Sequence, residues 1–179
     1  EIYGSDLTRI TNKSEKSLIG LCPGSKHFTK MWPIEYYIKL ADLLINKGYQ
    51  VAVIGSAADK DKTELLLNNK SLSNCTTDID LLATAERLAE CSLVVCNDSG
   101  LMHLAGAVQT PLIAIFGSTV KEFGFTPYKS KNLVLENNSL TCRPCSHIGK
   151  SACPKKHFKC MREIKPEFVM TKIDEMLND

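Results

Sequence analysis

Residues 93–119 constrain the fold more than any other part of the sequence, because a polar segment separates two short apolar runs. The runs LVVC at 93–96 and LIAIF at 112–116 have the length and side chains of buried parallel strands. The segment between them begins with Asn97-Asp98-Ser99-Gly100, in which Asp98 and Ser99 are N-cap residue types. We therefore predict a strand, a turn and a helix whose first N–H groups and dipole form an anion site at the carboxyl edge of a sheet.

A purely structural interpretation is also open, in which Asp98 and Ser99 cap a core helix and His103 packs one turn later. A second loop, after the first apolar run, favours the interpretation that these residues bind a ligand. The apolar run 18–22 is followed by small, hydroxyl-bearing and basic residues: Gly24, Ser25, Lys26, His27, Thr29 and Lys30. Ligands of open α/β sheets bind at this edge, so we predict that both loops contact one anionic ligand. Trp32 and Pro33 are expected to fix the position of Lys30, whereas Lys26 is expected to be solvated.

Apolar strand runs alternate with helical periodicity along the chain, which predicts an α/β fold with a doubly wound, mostly parallel sheet. Strands are predicted at 18–22, 50–55, around Cys75, and at 93–96, 112–116 and 132–135; helices are predicted from Ile34 to Gly48, at 60–69, 80–90, 97–107 and 166–178. The inward helix positions are predicted to include Tyr37, Ala41, Leu82, Leu88, Ala89, Phe168, Val169 and Ile173. Neither a Gly-x-Gly-x-x-Gly turn nor a P-loop pattern occurs. A nucleoside diphosphate, held between a lysine loop and a helix N-terminus, stays compatible with this pattern.

Length and charge limit the kind of protein. A chain of 179 residues suits one domain, and we expect residues 1–17 to be a linker or interdomain remnant and 18–179 the binding domain of a longer protein. A net charge of +2 gives no reason to expect nucleic acid as a partner. No apolar run approaches the roughly 20 residues that cross a bilayer. We expect a cytoplasmic protein with at most peripheral contact with the inner face of a bacterial inner membrane.

Five segments together resemble the C-terminal half of the heptosyltransferase-like glycosyltransferase family, which includes the ADP-heptose:lipopolysaccharide heptosyltransferases. The segments are Pro23-Gly24-Ser25, Lys30-Met31-Trp32-Pro33, Val53-Ile54-Gly55-Ser56 with Asp59, residues 97–103 (NDSGLMH), and Phe116-Gly117-Ser118-Thr119. The resemblance implies a GT-B architecture, in which two Rossmann-like domains face a cleft and the C-terminal domain holds the nucleotide-sugar donor.

The resemblance also implies roles for single residues. Lys30 would neutralise the donor phosphate, and Ser25 and Thr29, in the loop that Gly24 opens, would hydrogen-bond it. Asp98 would hold hydroxyls of the transferred sugar. Lys30 and the amides of Ser99 and Gly100 would stabilise the leaving diphosphate without a metal. His103 would support the same loop or phosphate, and Asp59 is the candidate ribose contact.

In such enzymes an acidic residue of the N-terminal domain deprotonates the acceptor hydroxyl, so we expect no catalytic base in this chain. We therefore predict that the chain alone binds donor weakly and transfers little or no sugar. The predicted function is the donor-binding half of an inverting transferase that moves heptose from ADP-heptose to the lipopolysaccharide core. The alternatives are another GT-B enzyme, such as a UDP-sugar transferase or an epimerase, and a non-catalytic nucleotide-sugar or metal-binding module.

Eight cysteines fall into two groups. Cys22, Cys91 and Cys96 lie in or beside apolar runs and are predicted to be small buried hydrophobic residues, with Cys75 similar. The other four form a Cys-x2-Cys, x7, Cys-x6-Cys array in a cysteine-rich loop at 140–162: Cys142, Cys145, Cys153 and Cys160. This spacing allows a tetrahedral structural zinc site, and thiols that brace the loop without metal are the alternative.

Overall fold

The computed structural model describes residues 17–68, 71–76 and 80–178, so the predicted linker lies almost entirely outside the described residues. The strands are β1 Leu18–Cys22, β2 Gln50–Gly55, β3 Ser73–Thr76, β4 Leu93–Asn97, β5 Leu112–Phe116 and β6 Asn132–Glu136. The helices are α1 Ile34–Asn46, α2 Lys60–Leu67, α3 Leu81–Glu90, α4 Gly100–Ala107, α5 Lys159–Arg162 and α6 Pro166–Asn178. All six strands match predicted runs, whereas the short α5 was not predicted.

The strands form one six-stranded sheet in the order β3-β2-β1-β4-β5-β6, and every pair is parallel. This is the doubly wound Rossmann-like order, which confirms the predicted fold class. The order of strands reverses between β1 and β4, so the loops that follow these two strands meet at the carboxyl edge. Ligands of open α/β sheets bind at this switch point.

Alternate strand residues feed two apolar layers, one on each face of the sheet. Ile19 and Leu21 of β1 pack with α1 and α6 on one face. Cys22 of β1 and Cys96 of β4 pack with α3 and α4 on the other face. Because both faces are covered, β4 and β5 are buried along their whole length, which explains their continuous apolar sequences.

Several helix-face predictions were wrong. The α3 helix buries Thr84 and Leu88, while Leu82 is 63% exposed and Ala89 is also exposed. Thr84 and Leu88 are four residues apart and lie on one side of the helix, so α3 buries only a narrow stripe that excludes Leu82 and Ala89. Phe168 of α6 is 48% exposed, because Val169 and Ile173 occupy the buried face. Cys75 in the edge strand β3 is only partly buried.

Candidate nucleotide-sugar site

The loops after β1 and β4 meet at the sheet edge, as predicted. The Lys30 Nζ lies 2.7 Å from Asp98 Oδ2, with 15% of the Lys30 side chain and 5% of the Asp98 side chain exposed. Thr119, after β5, donates a hydrogen bond of 2.6 Å to the same carboxylate oxygen. The Ser25 hydroxyl donates to the Asp98 carbonyl at 3.2 Å. Three strand ends therefore fix one ammonium group and one carboxylate at a single point.

Asn97, which the sequence analysis did not single out, holds the two loops together. Its Nδ2 donates to the Pro23 carbonyl at 2.8 Å, and its Oδ1 accepts from the Trp32 backbone N–H at 2.9 Å and the Tyr37 hydroxyl at 3.3 Å. Trp32, which was predicted to anchor this loop, is buried, and its indole N–H donates to the Ile164 carbonyl. The signal for Asn97 is a polar residue that ends an otherwise apolar strand.

The N-terminus of α4 is open. Ser99 is the N-cap with extended backbone, but its side chain makes no capping hydrogen bond, and its buried hydroxyl has no partner within the described part of the chain. Asp98 does not cap the helix either, since its carboxylate binds Lys30 and Thr119. A Cβ on Gly100 would meet nothing within 4 Å. Among the described residues, the first turn of α4 therefore has no side-chain cap, which leaves its N–H groups available to an anion.

Two cavities adjoin at this helix end. The first cavity, of about 420 Å³, is lined by Lys30, Asp98 and His103, and the second, of about 590 Å³, by Asp59 and Gly24. The two share four lining residues: Ser25, Lys26, Ser99 and Gly100. The shared groups are amides, hydroxyls and an ammonium, so this boundary is the most suitable place for a diphosphate. Lys26 is exposed, as predicted, yet it borders both cavities.

Asp59 and Gly24 depend on each other. A Cβ at Gly24 would lie 2.2 Å from Asp59 Oδ1, so the loop after β1 can approach this carboxylate only with glycine there. The other carboxylate oxygen accepts from the Ser56 hydroxyl at 2.9 Å and the Ser56 N–H at 3.2 Å. Asp59 is thereby fixed on the wall of the second cavity, at the end away from Asp98.

Thr29 lies beneath the site and not on its wall. Only 1% of it is exposed, and its hydroxyl donates to Ser118 at 2.9 Å and accepts from the Lys150 N–H at 2.8 Å. The predicted contact between Thr29 and a phosphate therefore has no support in this arrangement. The side chain instead ties the loop after β1 to the cysteine-rich loop.

A buried ion pair supports the segment after β5. Arg143 Nη2 lies 2.9 Å from Glu136 Oε2, with 3% of each side chain exposed. The Arg143 guanidinium also donates to the carbonyls of Gly117 at 2.6 Å and Thr119 at 2.7 Å. Since Thr119 binds Asp98, Arg143 supports the site from outside it.

The four loop cysteines are all free thiols, and Cys142 lies 3.8 Å from His157 Nε2. Burial raises the pKa of the Cys160 thiol to about 11. Among the described residues, no three His, Cys, Asp or Glu side chains are arranged to hold a metal ion. The arrangement gives the zinc hypothesis no support, and the site stays a prediction.

Comparisons with known proteins agree with this geometry. Residues 5–156 match the model of glycosyltransferase family 9 (heptosyltransferase). The chain belongs to this family. In the part of this chain that the structure describes, no helix is long and apolar enough to span a membrane.

The relatives and the solved structure described next are longer than this chain. Lipooligosaccharide heptosyltransferase 2 of Haemophilus influenzae is 33% identical over 91% of the chain and 48% of the relative. Lipopolysaccharide heptosyltransferase 2 of Salmonella typhimurium is 32% identical over 93% of the chain and 48% of the relative. The structure of Escherichia coli ADP-heptose lps heptosyltransferase II superposes with a TM-score of 0.75 at 31% identity, over 92% of this chain and 47% of that one. This chain therefore spans about half the length of these relatives.

Proposed function

We propose that this chain binds the nucleotide-sugar donor of a glycosyltransferase that transfers heptose from ADP-heptose to a lipopolysaccharide core acceptor. The family and the names of its relatives support sugar transfer. The choice of ADP-heptose is supported by a solved relative named an ADP-heptose lps heptosyltransferase. The half of the relatives that this chain does not match would supply the acceptor site and the catalytic base.

One observation carries the proposal, namely that the Lys30 ammonium and the uncapped N-terminus of α4 border the same cavity. In this proposal the diphosphate binds where the two cavities join, the ribose contacts Asp59, and the sugar occupies the first cavity beside Asp98. His103, one turn into α4, lies on the wall of the first cavity and would face the phosphate or the sugar.

The proposed chemistry is an inverting displacement at the sugar carbon that bears the diphosphate. The acceptor oxygen forms a bond to that carbon while the bond to the diphosphate oxygen breaks, and the base in the other half takes the acceptor proton. Negative charge grows on the leaving diphosphate, so the Lys30 ammonium and the fixed N–H groups at Ser99 and Gly100 lower the barrier.

Calorimetric titration of the chain with ADP, UDP and GDP tests this proposal, with ADP expected to bind most tightly. We expect Lys30→Met to weaken ADP binding about tenfold or more, because one charge-assisted contact is lost. Lys39→Met is the matched control, since Lys39 is exposed on α1 and outside both cavities.

Tighter binding of UDP or GDP would favour another GT-B enzyme. If none of the three nucleotides bound, the donor-site proposal would be wrong, and bound zinc in the same protein would then favour the non-catalytic metal-binding module. Equal losses in Lys30→Met and Lys39→Met would mean that Lys30 has no specific role.

A further inference from the structure

Part of the wall of the first cavity is built by residues outside the five segments that the sequence analysis compared with the family. Phe125 follows β5, and His147 and Ile148 belong to the cysteine-rich loop. Phe125 is 54% exposed and Ile148 is 68% exposed. Two large apolar side chains are therefore exposed on the wall of the cavity that Lys30 and Asp98 also line.

The turn at 146–149 is held firmly in place. Ser146 Oγ accepts from the Gly149 N–H at 2.9 Å and the Ile148 N–H at 3.2 Å. Gly149 has a φ of 107°, and a Cβ there would lie 2.6 Å from the His27 Cβ, so only glycine permits this approach to the loop after β1. The turn and the proposed phosphate loop are thus packed together.

His147 has a fixed ring and free polar atoms. Its ring stacks on Phe123 with a centroid distance of 4.4 Å and an interplanar angle of 25°. Neither of its ring nitrogens makes a hydrogen bond to another described residue. One face of the ring is therefore used by Phe123, while the edge that can donate or accept a hydrogen bond stays available at the cavity.

We propose that the turn at 146–149 forms the wall of the subsite for the transferred sugar, and that His147 is a specificity-determining residue there. This inference rests on the proposed function. In that proposal the ribose contacts Asp59 in the second cavity, so the transferred sugar is left to occupy the first cavity. A sugar presents apolar C–H faces and hydroxyl groups. Phe125 and Ile148 suit the former, and a His147 ring nitrogen suits a hydroxyl.

The test compares ADP and ADP-heptose by calorimetric titration of the chain. We expect His147→Ala to weaken ADP-heptose binding about fivefold, because the sugar loses its contact with the ring and its hydrogen bond to a ring nitrogen. The affinity for ADP, which lacks the transferred heptose, should change by less than about twofold. His157→Ala applies the same substitution to a histidine of the same loop outside the cavity, and it should change neither affinity.

His147→Phe retains the stack on Phe123 and separates the two parts of the contact. It should keep the loop folded and lose the hydrogen bond alone, so its ADP-heptose affinity should lie between those of the original chain and His147→Ala.

Parallel losses of affinity for ADP and ADP-heptose, or no loss for either, would overturn the sugar subsite while leaving the donor site intact. If the unaltered chain bound ADP-heptose no more tightly than ADP, the sugar subsite would also be wrong. Failure to bind any nucleotide would overturn both proposals.

Discussion

Asn97 is the side chain on which the geometry of the site most depends. It is fully buried and connects the Pro23 carbonyl, the Trp32 N–H and the Tyr37 hydroxyl. We expect Asn97→Ala to lower the free energy of unfolding by about 1–3 kcal/mol, because buried polar groups lose their partners. Urea denaturation measures this loss.

Asn46→Ala is the control for Asn97→Ala, since Asn46 is exposed at the end of α1. It should leave the midpoint of urea denaturation nearly unchanged. An equal and small effect of both substitutions would show that Asn97 does not join the two loops. Retained ADP binding by a destabilised Asn97→Ala protein would separate its structural role from ligand contact.

The segment after β5 depends on a group from a different part of the chain. Arg143 is inside the cysteine-rich loop, yet it holds the Gly117 and Thr119 carbonyls and pairs with Glu136 at the end of β6. We expect Arg143→Met to destabilise the fold by about 3–5 kcal/mol, because a carboxylate is left buried without its main partner. Thermal unfolding by circular dichroism checks the prediction.

Adding Glu136→Leu to Arg143→Met should recover part of the loss, because the uncompensated charge is removed while the carbonyl contacts stay broken. Arg87→Met is the surface control, since Arg87 and Glu90 form an exposed pair on α3 and should matter little. A double variant no more stable than Arg143→Met would show that the Glu136 charge is not the cause.

The strands and the α4 turn could be predicted because their signals are local. Apolar runs separated by capping residues and glycine define β4, α4 and β5 between Leu93 and Phe116. The roles of Asn97 and Arg143 could not be predicted in this way. The partners of Asn97 lie 60 to 74 positions away, and Arg143 bonds to Gly117 across 26 positions. The burial of Thr29 could not be predicted either, because its hydroxyl accepts a hydrogen bond from the Lys150 N–H, 121 positions later.

The sheet and its two layers also determine how the protein responds to alkaline pH. Cys22 and Cys96 are completely buried on one face, and Cys91 is nearly so. Burial raises the pKa of the Cys91 thiol to about 12, and it raises the pKa values of the Cys22 and Cys96 thiols as well. These thiols keep their protons in the folded chain, whereas thiols of an unfolded chain lose them near pH 8.5.

Stability should therefore fall as the pH rises above about 8.5, because the unfolded chain then binds fewer protons than the folded one. By pH 9.5 each of these three thiols should lower the free energy of unfolding by about 1.4 kcal/mol relative to pH 7.5. Urea denaturation at pH 7.5, 8.5 and 9.5 in the presence of a reductant measures this slope. Cys96→Ala removes one of the three thiols, so the free energy of unfolding should fall by about 1.4 kcal/mol less between pH 7.5 and pH 9.5. This difference in slope does not depend on how the substitution changes stability at pH 7.5. A stability that is constant or rises over this range would mean that burial in this layer does not keep the three thiols protonated.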